Sequence, residues 1–207
     1  MSEQVPKRIV TYEGFRVCHC GGCGCNCGVP RGEMHDYEST YKQLLSLLHP
    51  QSVLEWGPGR NTELALEAGA VVWSVESNPQ WLLAPTQQLT QLLVLEKSLQ
   101  YTTPTVWLRI EFSLVFVDGR KRAECLRRVR VSSEAWTRGT VVAVHDAQRA
   151  RYWDGLKRWA YIVVPEGSLA MATDDEDTYR RILTCLSVGD MRHWSSIEEL
   201  MSRGGRR

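Results

Sequence analysis

The segment Ser52-Val53-Leu54-Glu55-Trp56-Gly57-Pro58-Gly59-Arg60-Asn61-Thr62 carries the pattern of a strand, a tight turn and a helix start. A short apolar run closes on a glycine turn and is followed by residues that suit a helix N-terminus, with Asn61 or Thr62 the expected cap of a helix reaching Gly69. Two glycines let the backbone turn tightly and approach a ligand, and the helix start offers unpaired N–H groups. Val71 to Val75 reads as the next strand, with Glu76 at its end, 19 residues after Gly57. Open α/β sheets bind ligands outside the carboxyl ends of their strands, and an acid at this distance suits ribose hydroxyls. Thr62 stands where a dinucleotide fingerprint needs a third glycine, which argues against a nicotinamide or flavin site. The alternative is a structural turn followed by a solvent-exposed glutamate.

Before it, Tyr37 to Leu48 carries Tyr41, Leu44, Leu45 and Leu48 at helical spacing. Pro79 opens a further helix near Trp81, and Leu92 to Leu95 is the expected third strand. Ser113 to Val117 and Thr140 to Val144 are β-branched runs between helices. Tyr161 to Val164 and Ser168 to Ala172 flank Pro165-Glu166-Gly167 as a hairpin, read as a terminal pair adding one antiparallel edge strand. Strand–helix alternation with continuous apolar strands predicts an α/β fold: a doubly wound, mostly parallel sheet with helices on both faces.

The chain has 207 residues, a formal net charge of +1 and 43% hydrophobic residues. That is one domain plus extensions, neither a disordered chain nor a polycation built to coat nucleic acid. No apolar run approaches the roughly 18–20 residues a membrane span needs. The polar N-terminus lacks the apolar core of a signal peptide, so a cytoplasmic, reducing setting is expected. Composition divides the chain into a Cys-rich extension over 1–33, the α/β domain over 34–173 and a helical tail with a basic end over 174–207.

The segments 53–62 and 74–81 resemble motifs I and II of class I S-adenosylmethionine-dependent methyltransferases. Phe116-Val117-Asp118-Gly119-Arg120 and Val144-His145-Asp146-Ala147 are similar to the ends of the fourth and fifth strands in small O-methyltransferase-like members. The resemblance spans about residues 37–173 and implies a Rossmann-like fold with S-adenosylmethionine as cofactor. It implies that Glu55, Gly57 and Gly59, with Asn61 and Thr62 beside them, line the methionine and ribose side. Glu76 would hold the ribose hydroxyls, Ser77 and Asn78 would lie near the adenine edge, and Asp118 would face the methyl-transfer centre. The motif that usually brackets adenine on the third strand is not recognisable. No Asn-Pro-Pro-Tyr motif follows the fourth strand, which argues against nucleobase amino methylation.

Methyl transfer from a sulfonium is an in-line displacement that needs positioning and, for an oxygen acceptor, a base or a metal that lowers the acceptor's pKa. Asp118, His145 and Asp146 stand at the strand ends as candidate catalytic residues. The resemblance to catechol-type enzymes makes Asp118 a candidate magnesium ligand, but His145-Asp146 falls where an Asp-Asn pair is expected, and magnesium prefers oxygen. The plain alternative is that Asp118 and Asp146 cap helices or pair with nearby arginines. Residues 120–130 carry six basic residues against Glu124, either a rim that steers an anionic acceptor or a solvated helix face. Aromatic residues do not interleave with them as a nucleic-acid surface would require.

Cys18, Cys20, Cys23, Cys25 and Cys27 fall within ten residues, a density of soft ligands that suits a four-ligand zinc site, with a flexible Gly/Cys arm as the alternative. Cys125 and Cys185 read as small core residues, and Trp81 and Trp153 as candidate stacking platforms. The expected function is methyl transfer from S-adenosylmethionine to oxygen on a small or anionic acceptor. The alternatives are a zinc-containing binding or scaffold protein with a degenerate nucleoside pocket, and a same-fold aminopropyl-type transferase.

Overall fold

A computed structural model describes residues 6–13, 15–18, 37–104, 110–133, 139–165, 168–186 and 191–204. Their strands are β1 (Arg8–Tyr12), β2 (Ser52–Trp56), β3 (Val71–Glu76), β4 (Leu89–Leu93), β5 (Leu114–Val117), β6 (Val141–Val144), β7 (Tyr161–Val164), β8 (Ala170–Thr173) and β9 (Met191–Trp194). The helices are α1 (Glu38–Leu48), α2 (Arg60–Glu67), α3 (Leu99–Thr102), α4 (Arg122–Ser133), α5 (Trp153–Leu156), α6 (Glu176–Cys185) and α7 (Ile197–Gly204). The nine strands form one sheet in the order β4-β3-β2-β5-β6-β8-β7-β1-β9. From β2 the chain winds outward through β3 to β4, then returns to β5 on the other side of β2. The switch point therefore lies between the carboxyl ends of β2 and β5.

Strand alternation builds the two cores. Leu54, Trp56, Val115, Val117, Val142 and Val144 pack on one face with Cys125, Leu126 and Val129 of α4. Val53, Leu114, Phe116, Val141 and Ala143 pack on the other with Tyr41 and Leu44 of α1, Leu64 of α2 and Ile182 of α6. Residues i and i+2 of a strand share a face, so both faces must be apolar when helices cover both. This is the doubly wound, mostly parallel sheet the sequence predicts. Among the described residues no helix is long and apolar enough to cross a membrane.

Several local expectations change. The third strand sits at Leu89–Leu93, earlier than the expected Leu92–Leu95. The β7–β8 hairpin is antiparallel as expected, but β8 inserts between β6 and β7, so the hairpin is not the edge of the sheet. The outer strands there are β1, parallel to β7, and β9, antiparallel to β1. Both come from segments expected to lie outside the α/β domain. Hairpin geometry is local and readable, whereas these partners lie more than a hundred residues apart in sequence. Gly59, rather than Asn61 or Thr62, is the N-cap of α2, and the Thr62 hydroxyl turns back to accept the Gly59 N–H at 2.9 Å. Cys125 is a buried core residue, but Cys185 ends α6 exposed.

Candidate active-site cleft at the strand switch

The backbone at the switch point is held by close glycine contacts. Gly57 has φ +82°, which favours glycine, and a Cβ there would stand 3.0 Å from the Gly119 nitrogen. Across the turn, a Cβ on Gly119 would meet the Tyr101 hydroxyl at 2.7 Å. That hydroxyl accepts the Arg120 N–H at 2.8 Å, and the Trp56 indole donates to the Tyr101 carbonyl at 2.6 Å. The turns after β2 and β5 thus lie against each other with α3 behind them. Sequence reading singled out Gly57 but not Gly119 or Tyr101, because their role exists only where two distant turns meet.

Glu55 lies beneath this turn, fully buried. Its two oxygens accept from Thr62 Oγ1 at 2.6 Å and Asn61 Nδ2 at 2.5 Å. Burial pushes its carboxyl up to about 7, opposed by the hydrogen bonds it accepts. Asn61 and Thr62 are buried with it. The three side chains brace the turn from below instead of lining the space above it.

Glu76, at the end of β3, has a different geometry. Its Oε1 accepts the Ser77 N–H at 2.5 Å and the Asn78 N–H at 2.7 Å. Within the described residues no hydrogen bond uses Oε2, and the residue lines a cleft of about 750 Å³ together with Gly57, Pro58 and Trp81. Ser77 orients Glu76 through its backbone N–H and, at 3.3 Å, its hydroxyl, and Asn78 through its backbone N–H, while the Asn78 side chain accepts from the Gln80 N–H at 3.1 Å. Trp81 is 64% exposed on the cleft wall. Trp153 is not a platform: it is core, with its indole donating to the Ala147 carbonyl at 2.8 Å.

On the opposite side, Asp118, His145 and Asp146 come together as the sequence suggests, but only Asp118 lines the cleft. His145 Nδ1 lies 3.0 Å from Asp118 Oδ1, and its ring packs against Tyr37 at 4.7 Å. His145 Nε2 is buried, which places the imidazole behind Asp118. Arg122, four residues after Asp118 at the start of α4, contacts Asp118 Oδ1 at 2.6 Å and Asp146 Oδ2 at 2.7 Å. Arg149 reaches Asp146 Oδ2 at 3.2 Å. Pairing with nearby arginines, the plain alternative for both acids, is the observed arrangement.

The basic run divides between two surfaces. Arg120, Lys121 and Arg127 line the cleft, joined by Arg149 and Arg151 from the segment after β6. Arg130 points away, paired with Asp174 at 2.8 Å and set over the Trp159 ring. Cations gather on the β5–β6 side of the cleft around Asp118 and Glu124, whereas Glu76 and Glu96 stand on the β3–β4 side. Cys18 forms an isolated bridge with Arg149, its N–H bonding the Gln148 carbonyl and its carbonyl accepting from Ala150. Cys20, Cys23, Cys25 and Cys27 lie outside the described residues, and with them the expected zinc site.

No family model matches the chain, and no curated protein matches it in sequence. Among solved structures it is similar to a methyltransferase-like protein from Silicibacter pomeroyi, at 19% identity and a TM-score of 0.51 over 77% of this chain and 99% of that one. An O-methyltransferase from Bacillus cereus, in complex with S-adenosylhomocysteine (SAH), aligns at 14% identity and a TM-score of 0.49 over 70% of this chain and 85% of that one. The similarity to the Silicibacter protein establishes the fold, a Rossmann-like, methyltransferase-like sheet with helices on both faces.

Proposed function

We propose that this chain transfers a methyl group from S-adenosylmethionine to an oxygen of a small, anionic acceptor. The observation that carries the reading is Glu76: one oxygen is tied down by two backbone N–H groups, and the other is open beside a glycine turn with positive φ. A carboxylate oxygen held in this way can accept ribose hydroxyls without reorganising. The absent side chain at Gly57 lets the turn after β5 pack against this one, and Gly57 and Pro58 line the cleft where the cofactor would pass. Bound there, S-adenosylmethionine supplies an electrophilic methyl group.

The chain's own residues then divide the work. Glu55, Asn61 and Thr62 hold the turn in shape from beneath. Trp81 presents a ring on the Glu76 side, where a base can stack. Asp118 presents Oδ2, which takes no hydrogen bond within the described residues, while Oδ1 is held by Arg122 and His145. Asp118 is the group placed to orient an acceptor hydroxyl and take its proton, and His145 and Asp146 position it from behind. Arg120, Lys121, Arg127 and Arg151 favour an acceptor bearing a carboxylate, phosphate or similar anion.

Calorimetric titration of S-adenosylmethionine and SAH into the full chain tests the reading. Glu76→Ala should weaken binding by about 30- to 100-fold, the loss of charge-assisted hydrogen bonds worth roughly 2–3 kcal/mol. Glu76→Gln keeps an acceptor for the Ser77 and Asn78 N–H groups and should weaken binding less. No binding to the folded wild type overturns the proposal and leaves the binding-protein alternative in its place.

A further inference from the structure

Asp118, His145 and Asp146 each offer a ligand atom, all within 4.8 Å of one another, a spacing one divalent ion could bridge. The residues around them do not fit an ion. Arg122 already spans the two carboxylates, through Nη2 to Asp118 Oδ1 at 2.6 Å and Nη1 to Asp146 Oδ2 at 2.7 Å. Its remaining donors go to backbone carbonyls: Nε to Gly119 at 3.1 Å, Nη1 to His145 at 2.7 Å and Nη2 to Asp118 at 2.8 Å. Four of the five guanidinium N–H donors thus make hydrogen bonds, and Nη2 adds the ion pair to Asp118 Oδ1.

The side chain is 11% exposed and lies over the Tyr152 ring, 4.9 Å from its centroid. Charge closes the same way, because Arg122 and Arg149 together neutralise Asp118 and Asp146. An added dication would meet two guanidiniums already paired with Asp118 Oδ1 and Asp146 Oδ2. His145 Nδ1 faces Asp118 Oδ1, where a shared proton, not a metal, belongs.

We infer that Arg122 takes the place of a divalent cation in this cleft, as a resident charge that joins the ends of β5 and β6 and makes the centre independent of metal. It is a positioning residue: with His145 it holds Asp118 Oδ1, so that Oδ2 faces the cleft. The inference rests on the proposed methyl transfer only for the purpose of the cleft, and its test uses no cofactor.

The probe is Mn²⁺, a hard ion that discriminates against the cysteine-rich segment, with bound and free ion separated by electron paramagnetic resonance. Wild-type protein should bind no Mn²⁺ at sub-millimolar concentration. Arg122→Met should gain a site at least tenfold tighter, and adding Asp146→Asn should remove it. Arg122→Lys, which keeps the charge with fewer donors, should still exclude Mn²⁺ but unfold at a lower temperature. Stoichiometric Mn²⁺ binding by the wild type, lost on Asp146→Asn, overturns the inference even if Arg122→Met does not fold. A folded Arg122→Met that gains no site overturns it as well. Loss of the cofactor reading would appear only in the S-adenosylmethionine titration.

Discussion

Glu55 offers the sharpest quantitative prediction, because the turn that shapes the cleft rests on a carboxyl group sealed from water. Its pKa rises from 4.5 to about 7 on folding, burial being the main cause. The sign follows from proton counting. Below pH 4.5 the group is protonated in both states, and its burial carries no penalty from charge. Between the two values the folded state binds the extra proton, so stability falls as pH rises, and above about 7 the loss is complete. At about 1.4 kcal/mol per pKa unit, the loss between pH 5 and pH 8 is roughly 2–3 kcal/mol. For a chain of this size that corresponds to roughly 5–10 °C in melting temperature.

Glu55→Gln removes the titration while keeping the shape. Thr62 Oγ1, which now donates to Glu55 and accepts from the Gly59 N–H, can rotate to accept from the new amide. Thermal unfolding of both proteins by circular dichroism across pH 5–8 isolates the effect, since every other titrating group is common to both. The variant should gain on the wild type as pH rises, by the amount above. A pH-independent difference would refute the reasoning. So would a wild type that gains on the variant as pH rises, for then the Asn61 and Thr62 bonds to an ionised carboxylate outweigh its burial.

Gly57→Ala should cost at least about 2 kcal/mol in chemical denaturation, from left-handed strain together with crowding against Gly119, and should also weaken SAH binding. Trp81→Ala should leave the melting temperature nearly unchanged while weakening SAH binding about fivefold, the worth of about 1 kcal/mol of stacking. Trp153→Phe should do the reverse, losing about 2–3 kcal/mol of stability through its buried hydrogen bond and packing with no change in SAH affinity.

The legible parts of the fold were those written in short-range pattern. Strands β2, β3, β5, β6 and β7 fall where apolar runs meet glycine turns or helix starts, and α1 falls where Tyr41, Leu44 and Leu45 recur. Strand β1 was missed because Arg8–Tyr12 sits in a polar, charged segment and pairs only with β7 and β9, more than a hundred residues away. Strand β9 was missed because it pairs with β1, and its existence depends on that partner. At the site, residue type and position marked Glu76 and Asp118, but not which face each oxygen turns to the cleft. Arg122 was visible only as one of six basic residues. Its spacing of four from Asp118 was the available signal, and its link to Asp146 was not in the sequence at all.

By itself, the sequence determined the α/β class, the strand–turn–helix at Gly57 and the acid after the next strand, because each is encoded within a few residues by periodicity, glycine and spacing. Which of these groups face the cleft depends on contacts between distant segments. Glu55 and Glu76 stand at or next to the carboxyl ends of adjacent apolar strands, yet one is fully buried under the turn and the other lines the cleft. Burial and charge pairing arise from residues brought together across the sheet. Those contacts make one carboxyl group a brace, turn the other toward the cleft, and set a helix-start arginine between two carboxylates.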